Sequence, residues 1–144
     1  MIGSPVQHTG IVTIATPGKS LTECTREIVG WVGDSGVENG LLTLFIRHTS
    51  ASLLIQENAA PEVQDDLIAY FDQLAPEGPH YAHDSEGPDD MPAHLKSALT
   101  QTHLAIPVID GRLALGTWQG IYLFEHRDRP HTRHVTAMMT GASA

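Results

Sequence analysis

The chain has one cysteine, few aromatic residues, few basic residues and no long apolar run, and each scarcity narrows what it can be. A lone Cys24 in 144 residues cannot form an intramolecular disulfide, which fits a reducing compartment. Lys and Arg number 8 against 17 Asp and Glu, a formal charge of −9. Such a chain lacks the basic face that a nucleic-acid binder presents to phosphates, so no nucleic-acid partner is expected. No apolar stretch approaches the roughly 20 residues of a bilayer-crossing helix, so no membrane partner is expected either. Met1-Ile2-Gly3-Ser4-Pro5 has neither the basic start nor the apolar middle of a signal peptide, and a cytoplasmic location is the expectation. There is also no G-x-x-x-x-G-K phosphate loop, no dinucleotide fingerprint and no G-x-S-x-G elbow. Nucleotide hydrolysis and α/β-hydrolase chemistry lose support accordingly.

What is present reads as a globular domain spanning 1–144, with 41% hydrophobic and 17% charged residues and enough length to bury a core. Nine histidines are the unusual feature. Ile11 to Thr16 is β-branched and apolar, a strand ended by Pro17-Gly18. Ser20 with Glu23 matches a capping box, which predicts a helix carrying Leu21, Cys24, Ile28 and Val32 on its apolar stripe. Strands are expected over Leu41–Arg47 and Ala51–Gln56, then an amphipathic helix from Pro61 through Leu74. Residues 76–90 form a long polar loop, and a short helix follows from about Pro92 to Thr100, capped by Asp89 or Asp90.

The last third is all strand. Leu104–Ile109 meets Arg112–Leu115 through Asp110-Gly111, a dipeptide suited to a type I′ hairpin, with Pro107 placed where no ladder N–H is needed. Gly120–His126 and Thr132–Thr140 complete the series. The expected class is α+β: a bulged antiparallel sheet, half-barrel or sandwich-like, with helices packed on one face.

Three clusters carry polar chemistry. His48-Thr49-Ser50 ends a strand and offers an imidazole, two hydroxyls and backbone N–H groups to an oxyanion or metal. Equally, it reads as a turn whose hydroxyls bond nearby backbone. The second cluster is His80, His83, Asp84, Glu86, Asp89, Asp90, His94 and Lys96. Asp90 and His94, four apart on a helix, share a face, so the carboxylate and imidazole can hold one cation or pass a proton. With His83 folding back and His48 joining, three imidazoles and an open position would make a catalytic metal site. The plain alternative is a capping Asp90 and solvated histidines. In the third cluster, Gly116 and Gly120 flank Trp118 and Gln119 and can aim Gln119 into a pocket. Alternation along that strand puts Ile121, Leu123 and Glu125 on one face and Tyr122, Phe124 and His126 on the other. Arg127, Arg129 and Arg133 gather positive charge for an acidic substrate or an intersubunit ion pair. His131 and His134 fall on opposite strand faces and do not make a chelating pair.

Taken together these stretches resemble the YjbQ-like family, also labelled secondary thiamine-phosphate synthases. The matching residues are His48-Thr49-Ser50-Ala51-Ser52-Leu53 with Glu57-Asn58-Ala59, then Glu86 through Lys96, Arg112 through Tyr122, and Glu125-His126-Arg127. The resemblance implies an α+β homotrimer with sites near subunit boundaries. It also implies an enzyme joining a pyrimidine pyrophosphate to a thiazole phosphate, a transferase with a small phosphorylated substrate. On that reading His48, Asp90, His94 and Glu125 are catalytic candidates, and Thr49, Ser50, Asn58, Lys96, Gln119 and Arg127 bind substrate. His48, His83 and His94 would hold a divalent ion, Mg or Zn. The alternative is a trimeric module that binds metal or phosphate without turnover. Some relatives carry Cys where this chain has Phe124, so a thiol there is no part of a general mechanism.

Overall fold

Strict inside–outside alternation builds the larger of two sheets. The computed structural model describes residues 3–144. Strands β1 (Pro5–Thr16), β3 (Val37–Ile46), β5 (His103–Ile109), β6 (Arg112–Leu113) and β8 (His131–Ser143) pair antiparallel in the order β1-β8-β3-β5-β6. Val12, Ile14, Leu42, Leu44, Leu104, Ile106, Val135, Ala137 and Met139 turn inward, while Ile11, Leu41, Phe45 and Met138 turn outward. A bulge between Val37 and Asn39 bends β3 against β8. Strands β2 (Ser20–Glu23), β7 (Gln119–Glu125) and β4 (Ala51–Glu57) form the second sheet, in the order β2-β7-β4. Ile121 and Leu123 join the main core between the sheets, whereas Tyr122 and Phe124 pack with Leu21 on the other side. The expected face assignment of β7 is therefore observed, as is the antiparallel α+β architecture.

Helix α1 (Thr25–Asp34) seats Ile28 and Val32 in the main core. Helix α2 (Pro61–Leu74) leans Leu67, Ile68 and Phe71 on the Tyr122–Phe124 side of the smaller sheet. Helix α3 (Asp90–Leu99) buries Pro92, Ala93 and Lys96 beside β4. The hairpin 110–111 takes positive φ at both Asp110 (51°) and Gly111 (76°), as a type I′ turn requires. Pro107 O accepts from Ala114 N (2.9 Å) just past the end of two-residue β6, so the missing Pro107 N–H leaves no ladder bond unmade.

The capping box at Ser20–Glu23 is a correction. Those residues are strand β2, paired with β7 from Ser20↔Glu125 to Glu23↔Tyr122. Burying Leu21 against Tyr122 and Phe124 outweighs the local helix signal. The helix starts later, at Thr25, with Cys24 as an N-cap that makes no side-chain bond. Cys24 is sealed in the core, and burial, with Glu27 and Glu23 nearby, pushes its thiol up to about 12. It is no nucleophile. Asp89 is likewise the N-cap residue of α3 without a side-chain cap bond, because its carboxylate is committed elsewhere.

The chain crosses between the sheets at one corner three times, at 16–20, 46–51 and 125–131. Glu125, wholly buried, ties the crossings together. Its Oε1 accepts from Thr16 Oγ1 (2.7 Å) and Arg133 Nε (2.7 Å), and its Oε2 accepts from Arg133 Nη2 and from Arg127 N (3.2 Å). Arg133 Nη2 also donates to Ser50 Oγ (2.9 Å). Burial alone would raise the Glu125 carboxyl, but the bonds from Arg133 and Thr16 hold it below its ordinary value. Just past β7, His126 is also buried, with Nε2 against Ser52 Oγ of β4 (2.9 Å). Burial, reinforced by Lys96, lowers it to about 3, so it is neutral in the native state.

Two measurements check this corner. Glu125→Gln should lower unfolding free energy by about 3–5 kcal/mol in urea denaturation, because it strands a buried guanidinium. For His126, the unfolded chain titrates near 6.5 and the native chain near 3. The unfolded state therefore takes up the extra proton between those values. Its contribution is full above about pH 6.5 and declines as pH falls, by at most about 1.4 kcal/mol per unit. Between pH 7.5 and 5, His126→Gln should lose stability less steeply than the native chain. Parallel curves would sink the assignment.

Candidate functional site

The long loop and the first turns of α3 converge on one set of donors. His83 Nε2 lies 2.9 Å from Asp90 Oδ2 and 3.0 Å from Glu86 Oε2, and His94 Nε2 lies 3.3 Å from the same Asp90 oxygen. One ligand atom from each of His83, Glu86, Asp90 and His94 falls within 4.8 Å of the others. A zinc or similar ion bound at roughly 2.0–2.2 Å by tetrahedral ligands separates its donors by about 3.4 Å, which this set brackets. Two imidazoles and two carboxylates are also the donor types that such an ion takes. Hydrogen bonds to Asp90 and Glu86 raise His83, so a proton occupies the same position when it is protonated.

The local sequence explains the convergence. Gly87 adopts φ 103°, a left-handed conformation open to glycine, and turns the loop so that Asp90 N donates to Gly87 O (3.3 Å). Asp90 and His94 then share a helix face, one turn apart. Arg127 locks the turn from the strand side. Its Nη1 donates to Asp90 Oδ1 (2.8 Å), its Nε to Asp89 Oδ2 (2.9 Å) and its Nη2 to Glu86 O (2.9 Å). Asp89 Oδ2 also accepts from Asp128 N (2.9 Å). With one Asp90 oxygen held by Arg127, the other faces both histidines, an orienting arrangement typical of the residues behind metal ligands.

The expected trio of His48, His83 and His94 does not assemble within the chain, and Glu86 stands where His48 was expected. His48 follows β3, on the other side of the buried corner. Its Nδ1 is 3.4 Å from Arg133 Nη1 and its Nε2 3.3 Å from His134 N. Burial, then Arg133 and His134, lower its pKa. A chain of hydrogen bonds still joins the two places, from His48 through Arg133 and Glu125 to the backbone N–H of Arg127. Glu125 itself is shut away with both oxygens occupied, so its part is to position, not to exchange protons with a ligand. Ser50 supports Arg133, and Thr49 is exposed.

The remaining candidates scatter. Lys96 is buried on the opposite side of α3, with Nζ 2.6 Å from Asp72 Oδ1. Asn58 donates to Glu23 Oε2 (3.3 Å). Gln119 folds back to accept from Gly116 N (2.8 Å) and borders a shallow depression with Leu54, His103 and Leu104 rather than the histidine cluster. Thr16 and Asp72 were not anticipated in any site, and Arg133, expected to meet an acidic substrate or a neighbouring subunit, pairs inside the chain with Glu125. The signal for Arg133 was available: it alternates in phase with buried Val135, Ala137 and Met139.

Comparisons with known proteins agree with this architecture. The model of the UPF0047 protein YjbQ-like family matches residues 10–142. The UPF0047 protein sll1880 of Synechocystis is 57% identical over 136 residues, covering 94% of this chain and 92% of the relative. The UPF0047 protein YjbQ of Escherichia coli O157:H7 is 41% identical, covering 90% and 95%. Among solved structures, hypothetical protein APE1520 of Aeropyrum pernix superposes with TM-score 0.85 at 30% identity, over 93% of this chain and 98% of that one. The conserved hypothetical protein TT1486 of Thermus thermophilus gives 0.79 at 35% identity, over 89% and 97%. The chain belongs to the UPF0047 YjbQ-like family.

Proposed function

We propose that this protein is a small-molecule enzyme that holds a divalent metal ion at His83, Glu86, Asp90 and His94 and acts on a phosphorylated or pyrophosphorylated substrate. The observation that carries the reading is the set of four donors within 4.8 Å, built around an Asp90 carboxylate that is 6% exposed and aimed by Arg127. A bound cation supplies charge stabilisation for a departing pyrophosphate. Asp90 orients both imidazoles, and His83 and His94, exposed enough to meet solvent, are the groups able to bind the ion or move a proton. Arg127 holds the Asp89 and Asp90 carboxylates in place. Thiamine-phosphate synthesis, from a pyrimidine pyrophosphate and a thiazole phosphate, is the specific transferase reaction that this reading puts forward.

A non-catalytic module is the second reading, favoured by one observation. Cys24 and Glu125 are both sealed, so neither is available as nucleophile or acid. Binding without product formation from the two precursors would select it.

The assembly we propose is a homotrimer, closed over the bare outer face of the larger sheet. Ile11 (61% exposed), Leu41, Phe45 (46% exposed) and Met138 stand there among threonines. Large apolar side chains exposed on one sheet face in this way favour a partner surface.

Two experiments follow. Zinc or manganese titrated by calorimetry should bind one ion per chain, with His94→Ala and Asp90→Asn each weakening affinity by about tenfold or more. Affinity should also fall as pH drops through the histidine range, because a proton competes at His83. Unchanged affinity in both variants rules this site out. Separately, Phe45→Asp should convert a trimer to monomers in light scattering while the far-ultraviolet circular dichroism spectrum is retained. A native chain that runs as a monomer would remove the trimer.

A further inference from the structure

The four donors of the histidine–carboxylate cluster are not restrained alike. Asp90 is nearly buried, with one oxygen fixed by Arg127 Nη1 (2.8 Å). His94 shares its helix face, and His83 Nε2 reaches the second Asp90 oxygen at 2.9 Å. Glu86 is the loose member. Its side chain is 62% exposed, and its single hydrogen bond among the described residues is the 3.0 Å contact with His83 Nε2. Its backbone is fastened nonetheless, because Glu86 O accepts from Arg127 Nη2 (2.9 Å) and Gly87 turns the chain directly after it. The carboxylate can therefore leave the cluster by rotation about its own side-chain bonds, with no movement of the loop.

A groove of about 570 Å³ lies against the cluster, with Glu86, Gly87, Asp89, Arg127, Arg129 and His131 among the residues that line it. Of the four donors, Glu86 alone lines this groove. The walls hold no surplus of positive charge, since Asp89 pairs with Arg127 and Asp128 offsets Arg129. An anion in the groove is therefore drawn by a cation at the cluster, and Glu86 stands between the two. A tetrahedral zinc-type site with four protein donors is closed, whereas catalytic sites keep three protein ligands and an open position. Without Glu86 the remaining set is two imidazoles and one carboxylate, a donor set known from catalytic zinc. An oxygen of a phosphoryl group is the same type of donor as the carboxylate oxygen it would replace.

We infer that Glu86 is the exchangeable ligand of this site, closing it when the groove is empty and giving its place to an anionic oxygen of a phosphorylated substrate that lies in the groove. His83, Asp90 and His94 hold the ion throughout. The inference rests on the reading of a metal at this cluster, and adds which donor yields and from which side the ligand enters. Asp90 cannot yield, because turning it out would break its bond to Arg127. Glu86 gives up one contact and moves into water that already covers most of its side chain. No bond of the ligand is made or broken in this exchange. Its cost is paid in apparent affinity, which falls by the fraction of time that the carboxylate is out of the site.

Cobalt-loaded protein titrated with inorganic phosphate reports the exchange, because the visible absorption of cobalt(II) follows the ligands around it. Phosphate should shift the visible band of the native protein. Glu86→Ala, a change at an exposed side chain, should hold cobalt within about fivefold of native affinity, whereas Asp90→Asn should lose about tenfold or more. With the competing carboxylate gone, phosphate should bind cobalt-loaded Glu86→Ala about tenfold more tightly than the native protein. Equal phosphate affinity in the two proteins, or a band that phosphate leaves unchanged, overturns the inference and leaves the metal site standing. Cobalt affinity that falls in Glu86→Ala as far as in Asp90→Asn also overturns it, by making Glu86 a permanent ligand. A native chain that binds no cobalt removes the metal reading and this inference together.

Discussion

The buried pair of Glu125 and Arg133 is the constraint on which the rest of this structure depends. Two sheets share a core, and three chain segments pass between them at one corner, where polar backbone would otherwise be left without partners. A carboxylate with both oxygens saturated satisfies Thr16 on the first crossing, and through Arg133 it reaches Ser50 on the second. On the third it accepts from Arg127 N. A pair of charges is an expensive way to close a corner, since desolvation offsets much of their attraction. It gives direction in return. Apolar side chains would fill the same volume without setting where Arg127 leaves the strand, and that departure angle is what brings the guanidinium to Asp89 and Asp90.

Local pattern carried most of the fold. Alternation in 119–125 assigned both faces of β7 because each is packed: Ile121 and Leu123 on the main core, Tyr122 and Phe124 against Leu21 and α2. The Asp110-Gly111 turn was readable because its chemistry is contained in two residues. The capping box at Ser20–Glu23 failed for the opposite reason. A four-residue motif is a weak local preference, and pairing Leu21 with Phe124 across more than a hundred residues of chain overrides it.

The site divided along the same line. Asp90, His94 and His83 were legible together because a helical turn and a seven-residue reach bring them near one another. Glu86 lay in view within that segment but seemed one loop acid among several, until Gly87 and Arg127 fixed its direction. His48 was drawn into the same site only by its chemistry. Its true neighbours, Arg133 and His134, depend on the register of β8, which no local spacing reports. Arg133 and Glu125 offered a subtler clue. Each falls in phase with the buried residues of its own strand, and two opposite charges in the phase of one core imply a buried pair.

Arg127 shows how far geometry can revise a role inferred from charge. A basic residue beside an acidic loop invites the reading of a substrate clamp. Its Nε, Nη1 and Nη2 are instead all committed, to Asp89, Asp90 and the carbonyl of Glu86. Releasing them to grip a ligand would free two carboxylates at the place where the imidazoles converge. The guanidinium therefore works as a brace that draws negative charge away from Asp90 Oδ1 and leaves Oδ2 for the histidines. The two lysines that share Asp72, Lys19 and Lys96, sit apart from this brace. Helix α3 then separates two tasks by its own periodicity: Asp90 and His94 face the loop, while Lys96, two residues on, turns to Asp72.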